Sequence, residues 1–187
     1  MTSRANVLLW TDSTAAYLDA IQAAGLAGRV AVDTLPRKEK PSAEQLARTE
    51  ALMAYAVPPG VLPAMPKLRW AQVMTAGVEE WLALPDLPPR LTLTCARGTH
   101  AESMPENIIG ALLYVAKPYA AAVANQKRGT WVRTVAQPLT GKTLGILGLG
   151  AIGQQVARIA SVLGMRVIGT RRRPEPVPNV AKVLPAE

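Results

Sequence analysis

The sequence predicts an α/β chain built on parallel strands. Three observations carry this. Apolar runs recur at intervals of roughly 20 residues over the first hundred positions. Helical stretches fall between them. A glycine-rich turn near position 150 joins one further apolar run to a helix. Strands alternating with helices in this way suit a parallel sheet. At 187 residues, 49% hydrophobic and 18% charged, the chain is too apolar to remain disordered.

The elements follow in order. Val7–Trp10 is a continuous apolar run, as in a strand buried on both faces. Asp12 or Ser13 caps a helix carrying Leu18 and Ile21 and ending near Gly25. Val30–Leu35 reads as a second strand, and Ser42 and Gln45 have capping-box spacing for a short helix. Leu52–Ala56 is a third strand, stopped by Val57-Pro58-Pro59-Gly60. Trp70–Met74 and Leu91–Cys95 are the fourth and fifth. Ser103-Met104-Pro105-Glu106 combines a capping box with a proline in the first helical turn. The helix it opens carries Ile108, Ile109, Leu112, Leu113, Val115 and Ala116. Pro118 kinks it, Asn125–Gly129 ends it, and Thr130–Thr140 is a connecting loop. Pro174–Pro178 is too proline-rich for an element interior.

Next comes a dinucleotide fingerprint. Thr143–Leu147 is a short strand, and Gly148-Leu149-Gly150-Ala151-Ile152-Gly153 follows at once. The helix after it has Ile152, Val156, Ile159 and Leu163 on one face, Gly164 ends it, and Met165–Gly169 is a second strand. That context separates the motif from incidental glycines. Gly148 permits the tight turn, Gly150 the approach of a pyrophosphate, and Gly153 close packing of helix on strand. The N–H groups at Ala151 and Ile152 open the helix toward the phosphates. An NAD site usually places Asp or Glu after the second strand. Here that place reads Thr170-Arg171-Arg172-Arg173. Guanidinium groups suit a 2′-phosphate, so NADP (NADPH) is preferred over NAD.

Composition limits the partners. Residues 1–100 hold 10 basic and 9 acidic side chains, and residues 101–187 hold 11 and 4. The basic half fits a phosphorylated ligand. No recognised nucleic-acid motif accompanies the charge, so no nucleic-acid partner is expected. The longest apolar run, Ile108–Ala116, is stopped by Lys117. It falls short of the roughly 18 residues a bilayer span needs, so no membrane partner is expected. A single cysteine, Cys95, and the lack of a leader-like N-terminus point to a reducing, cytoplasmic location. No metal site is expected.

Further residues resemble the D-isomer-specific 2-hydroxyacid dehydrogenase family, which includes glyoxylate/hydroxypyruvate reductases. Leu68–Glu79 looks like the family's substrate loop, and Leu91–Gly98 like the following strand and turn. Glu102–Glu106 looks like the start of its long interdomain helix, and Gln126–Trp131 with Leu139–Thr143 like the approach to the nucleotide fold. The resemblance runs from about Leu68 to Arg173; before Leu68 it is architectural only. It implies a flavodoxin-like parallel-sheet substrate domain (1–103), an interdomain helix and linker (104–140), and the first β-α-β unit of a Rossmann fold (141–187). It implies NADPH-dependent reduction of a short 2-oxo acid to the 2-hydroxy acid, with the carboxylate at the backbone of Thr75, Ala76 and Gly77, and a homodimer for the complete protein. Glu79 stands where the family more often has Asp.

The family's Arg, acid and His follow the second Rossmann strand by a long stretch, and this chain stops at Glu187. The expectation is therefore a chain truncated within the nucleotide-binding domain, with no catalytic residue and inactive alone. His100, the only histidine, and Arg97 read as surface or hinge residues, and Cys95 as a small core residue. The alternative is a non-catalytic nucleotide-binding fragment, or a subunit completed by another chain.

Overall fold

Apolar runs bounded by polar residues become the strands of two parallel sheets. The computed structural model describes residues 4–186. It divides into two compact units, Met1–Arg97 and Gly98–Glu187.

In the first unit the elements are β1 (Ala5–Trp10), α1 (Thr14–Ala23), β2 (Val30–Leu35), α2 (Ala43–Arg48), β3 (Ala51–Ala54), β4 (Trp70–Val73), α3 (Glu79–Leu82) and β5 (Thr92–Cys95). The strands run parallel in the order β2-β1-β3-β4-β5. Register sets the core. Leu8, Leu52 and Ala71 lie side by side across three strands and are fully buried. Two residues on, Leu35, Trp10, Ala54 and Val73 form the next row of the same face. Val57, Leu62 and Met65 from the β3–β4 connection and Trp81 from α3 cover this face. The opposite face buries Leu9 and Ala51, but Trp70, Thr92 and Thr94 on it are exposed.

Local chemistry explains several boundaries. Ser42 and Gln45 form the reciprocal capping box at α2. Ser13 takes the N-cap position of α1, but its side chain makes no capping bond. The Asp12 carboxylate instead accepts the backbone N–H of Arg37. The third strand ends at Ala54, not Ala56, and the Tyr55 carbonyl accepts the indole N–H of Trp81. Glu50 ties three strand starts together: its carboxylate accepts the Asn6 backbone N–H at 2.9 Å and pairs with Arg69 at 3.1 Å. The Asn6 N–H is the main cause that holds this carboxyl below its ordinary value.

In the second unit the elements are α4 (Ser103–Ala116), α5 (Tyr119–Lys127), β6 (Thr143–Leu147), α6 (Ala151–Val162), β7 (Arg166–Arg171) and β8 (Lys182–Pro185). Pro118 breaks the long helix into α4 and α5, bent by 66°. The expected capping box at Ser103 does not form. Glu102 holds the N-cap position with helical backbone angles, Ser103 is already the first helical residue, and no side chain caps the end. Val156, Ala157 and Ala160 of α6 are buried in one core with Ile109 of α4 and Val167 of β7. Ile152, Ile159 and Leu163 pack at its margin.

The sheet order β6-β7-β8, all parallel, corrects the expectation of two strands. The third strand follows the proline-rich stretch and pairs Ile168–Arg171 with Lys182–Pro185. The second strand also runs on to Arg171, because this pairing continues beyond Gly169. Among the described residues no single helix is long and apolar enough to cross a membrane.

Candidate functional site

The turn from β6 into α6 is built from backbone constraints. Gly148 sits at φ +99°, a conformation L side chains rarely adopt. Its N–H donates to the Thr170 hydroxyl at 3.2 Å, and the Leu149 N–H donates to the Thr170 carbonyl at 2.8 Å. Thr170 thus spends its side chain on the turn. A Cβ at Gly153 would strike the Gly148 carbonyl oxygen and approach Ile146 to 3.2 Å, so only glycine lets α6 sit this close to β6. A Cβ at Gly150 would meet nothing within 4 Å, so the outer side of the turn is open. Gly150 is the N-cap of α6 and makes no side-chain capping bond, which leaves N–H groups of the first turn, through Ala151 and Ile152, free for an anion.

Gly169 belongs to this construction and was not singled out from the sequence. A Cβ there would lie 2.8 Å from the Leu149 side chain and 2.9 Å from the Ile146 carbonyl. A glycine inside a strand marks such a close approach, so the signal was present. Arg171 closes β7 and is half-buried, while Arg172 and Arg173 are exposed in the bend after it. Among the described residues no carboxylate lies within ion-pair distance of the three guanidinium groups.

The loop after β4 lies in the first unit. The Thr75 hydroxyl donates to the Gly77 carbonyl at 2.7 Å, which closes the loop on itself. Its base is anchored by Met74 N–H to the Ala54 carbonyl at 3.0 Å and Ala96 N–H to the Thr75 carbonyl at 2.9 Å. Thr75, Ala76 and Gly77 are all exposed. The Glu79 carboxylate folds back over Gly77, where a Cβ would otherwise sit.

Thr75 and Gly77 line a cleft of about 350 Å³ with Arg37, Tyr55, Glu79 and Trp81. An adjoining cleft of about 290 Å³ shares Arg37 and Tyr55 and is walled by Trp10 and Pro58. Both lie beyond the carboxyl ends of β1, β3 and β4. In the order β2-β1-β3-β4-β5 the strands are added to one side of β1 and then to the other, so the winding reverses between β1 and β3, and open parallel sheets bind ligands at such a switch point. Sequence reading missed Arg37 and Tyr55. His100 is exposed in the turn before α4, with no carboxylate among the described residues within ion-pair distance.

Comparison with known proteins agrees with this construction. Residues 109–185 match the family model of the D-isomer specific 2-hydroxyacid dehydrogenase NAD binding domain. D-3-phosphoglycerate dehydrogenase of Methanocaldococcus jannaschii is 45% identical over 69 residues, which cover 36% of this chain and 13% of that protein. Hydroxypyruvate reductase of Thermotoga maritima is 40% identical over 73 residues, 38% of this chain and 24% of that protein. A D-isomer specific 2-hydroxyacid dehydrogenase family protein from Aeromonas salmonicida superposes with a TM-score of 0.83 at 27% identity, over 98% of this chain and 59% of its own. An NADPH-dependent glyoxylate/hydroxypyruvate reductase from Sinorhizobium meliloti, solved with NADP and sulfate, shares the fold at TM-score 0.78 and 23% identity. It is covered over 98% of this chain and 57% of its own. The chain therefore spans less than two thirds of the length of these relatives.

Proposed function

We propose that this chain, a relative of the D-isomer specific 2-hydroxyacid dehydrogenases, binds NADPH in preference to NADH and holds the carboxylate of a short 2-oxo acid, such as glyoxylate or hydroxypyruvate. The observation that carries the reading is the β6–α6 turn: Gly148 at positive φ, an open Gly150, and three arginines at the end of the neighbouring strand that have no carboxylate partner among the described residues. The residues fit a dinucleotide. Gly148, Gly150, Ala151, Ile152 and Gly153 would receive the pyrophosphate, and Arg171 to Arg173 the 2′-phosphate. Thr170 would fix the turn that does so. When bound, the dinucleotide supplies a hydride for the C2 carbonyl. The NADP-bound reductase from S. meliloti supports the choice of cofactor and acid.

On the substrate side the backbone of Thr75, Ala76 and Gly77 would hold the carboxylate, with Glu79 moving off Gly77 to admit it. No residue of this chain is assigned as proton donor. His100 is exposed and has no orienting carboxylate among the described residues, so the 187-residue chain should bind both ligands without turnover. The exposed apolar side chains of α4, α5 and the following loop, among them Val115 and Trp131 at 84% and 96% exposure, support the homodimer expected of the complete protein. Sedimentation at increasing concentration tests it.

The cofactor reading is tested by calorimetric titration of the chain with NADPH and NADH. Replacing Arg171 and Arg172 together by alanine should weaken NADPH by ~1.5–3 kcal/mol per charged hydrogen bond lost and leave NADH unchanged. Equal losses for both dinucleotides overturn the 2′-phosphate assignment.

A further inference from the structure

The cleft beside Thr75 and Gly77 contains a cation that the carboxylate-holding role does not use. Arg37 lies 4.5 Å over the ring of Tyr55. Both residues are fixed from beneath. The Trp10 indole N–H donates to the Pro36 carbonyl at 3.1 Å, and the Asp12 carboxylate accepts the Arg37 backbone N–H at 3.0 Å. The buried Trp81 donates its indole N–H to the Tyr55 carbonyl at 3.0 Å. Among the described residues no carboxylate reaches the Arg37 guanidinium within ion-pair distance. A guanidinium stacked on a ring keeps its N–H edge available for paired bonds to a carboxylate or phosphate.

The rest of the cleft gives direction to this cation. Glu79 and Glu80 line the cleft together with Arg37, and Glu79 is turned over Gly77. Of the side chains lining this cleft Arg37 alone is cationic, so an anionic group beyond the loop backbone is directed toward it and away from the two glutamates. At about 350 Å³ the space exceeds what a two-carbon acid fills. We infer that Arg37, seated on Tyr55, is a specificity-determining residue: within the class of short 2-oxo acids it favours those that carry a second anionic group, carboxylate or phosphate, at the end away from the carbonyl over glyoxylate and hydroxypyruvate, which lack one. The inference rests on the reading of Thr75–Gly77 as the site of the first carboxylate.

The test is a titration of the full chain, followed by backbone amide shifts, with three probes. 2-Oxoglutarate carries a second carboxylate, 3-phosphohydroxypyruvate a phosphate, and 2-oxopentanoate neither. At least one of the two probes with a second anionic group should bind ten-fold or more tightly than 2-oxopentanoate, and which one names the second group. Arg37→Ala should erase that preference while the amides of 75–77 still respond to every probe. Arg37→Lys, which keeps the charge and loses the fork, should retain part of it. No preference in the unaltered chain, or a preference that survives Arg37→Ala, overturns the role of Arg37 and leaves the loop standing. Silence of the 75–77 amides toward all three probes overturns the loop reading and this inference with it.

Discussion

Two turns leave the carboxyl ends of parallel strands in this molecule, and they use glycine in opposite ways. After β4, the space beside Gly77 is filled by the Glu79 carboxylate, the far end of an exposed, flexible side chain. After β6, the space beside Gly153 is filled by the Gly148 carbonyl, which is backbone and cannot swing aside. Both turns use a threonine hydroxyl: Thr75 donates to the Gly77 carbonyl within its own loop, whereas Thr170 accepts the Gly148 N–H from the neighbouring strand, and there Gly148 adds a backbone φ of +99°. The lesson is that a glycine's tolerance depends on what faces it. The first loop can be reshaped by side chains alone. The second is fixed by the packing of a helix on a strand.

The largest effect should come from the second turn. Gly153→Ala forces α6 away from β6, which costs ~1–3 kcal/mol as an overpacked contact and weakens dinucleotide binding with it. Faster hydrogen exchange across β6 and α6 would report the change, and unchanged protection there would break the contrast. Gly150→Val separates binding from folding at the same turn. Its added side chain faces open space, so protection should persist while NADPH binding is lost. Gly77→Ala is the opposing case. Glu79 can move aside, so stability should change by less than ~0.5 kcal/mol, and thermal unfolding of the paired variants makes the comparison direct.

The smallest effect concerns how the first unit is tied together below its loops. Glu50 is held below its ordinary carboxyl value of 4.5. Its contribution is therefore present above that value and lost as the pH falls through and below it. Glu50→Gln should lower the unfolding midpoint at neutral pH, and the gap to the unaltered chain should close in acid. A gap that stays constant with pH would show that the carboxylate charge is not what matters.

Much of this architecture was legible because it is local. Val30–Leu35 and Thr143–Leu147 become strands with the expected bounds, since each is an apolar run interrupted by its own polar neighbours. The glycine turn was legible for the same reason. Lys182–Pro185 was not, because four residues after a proline-rich stretch carry no period, and their strand exists through pairing with β7. Ser103 misled because the backbone before it, from Arg97 on, is already turned, which draws the helix start one residue earlier and makes Ser103 helical instead of its cap. Arg37 and Tyr55 are 18 positions apart in sequence. Only the sheet order, which sets β2 and β3 on either side of β1, brings them to one cleft.

The break at Pro118 has a geometric consequence. The nine residues of α5 extend ~13.5 Å at 1.5 Å rise per residue. A 66° bend therefore carries their far end about 15 Å from where a straight continuation of α4 would put it. Trp131 follows four residues after α5 and rides on that displacement. A single pyrrolidine ring thus sets the reach and heading of the most exposed aromatic side chain among the described residues. A straight helix of the same composition would deliver that indole to a different place on any surface it met.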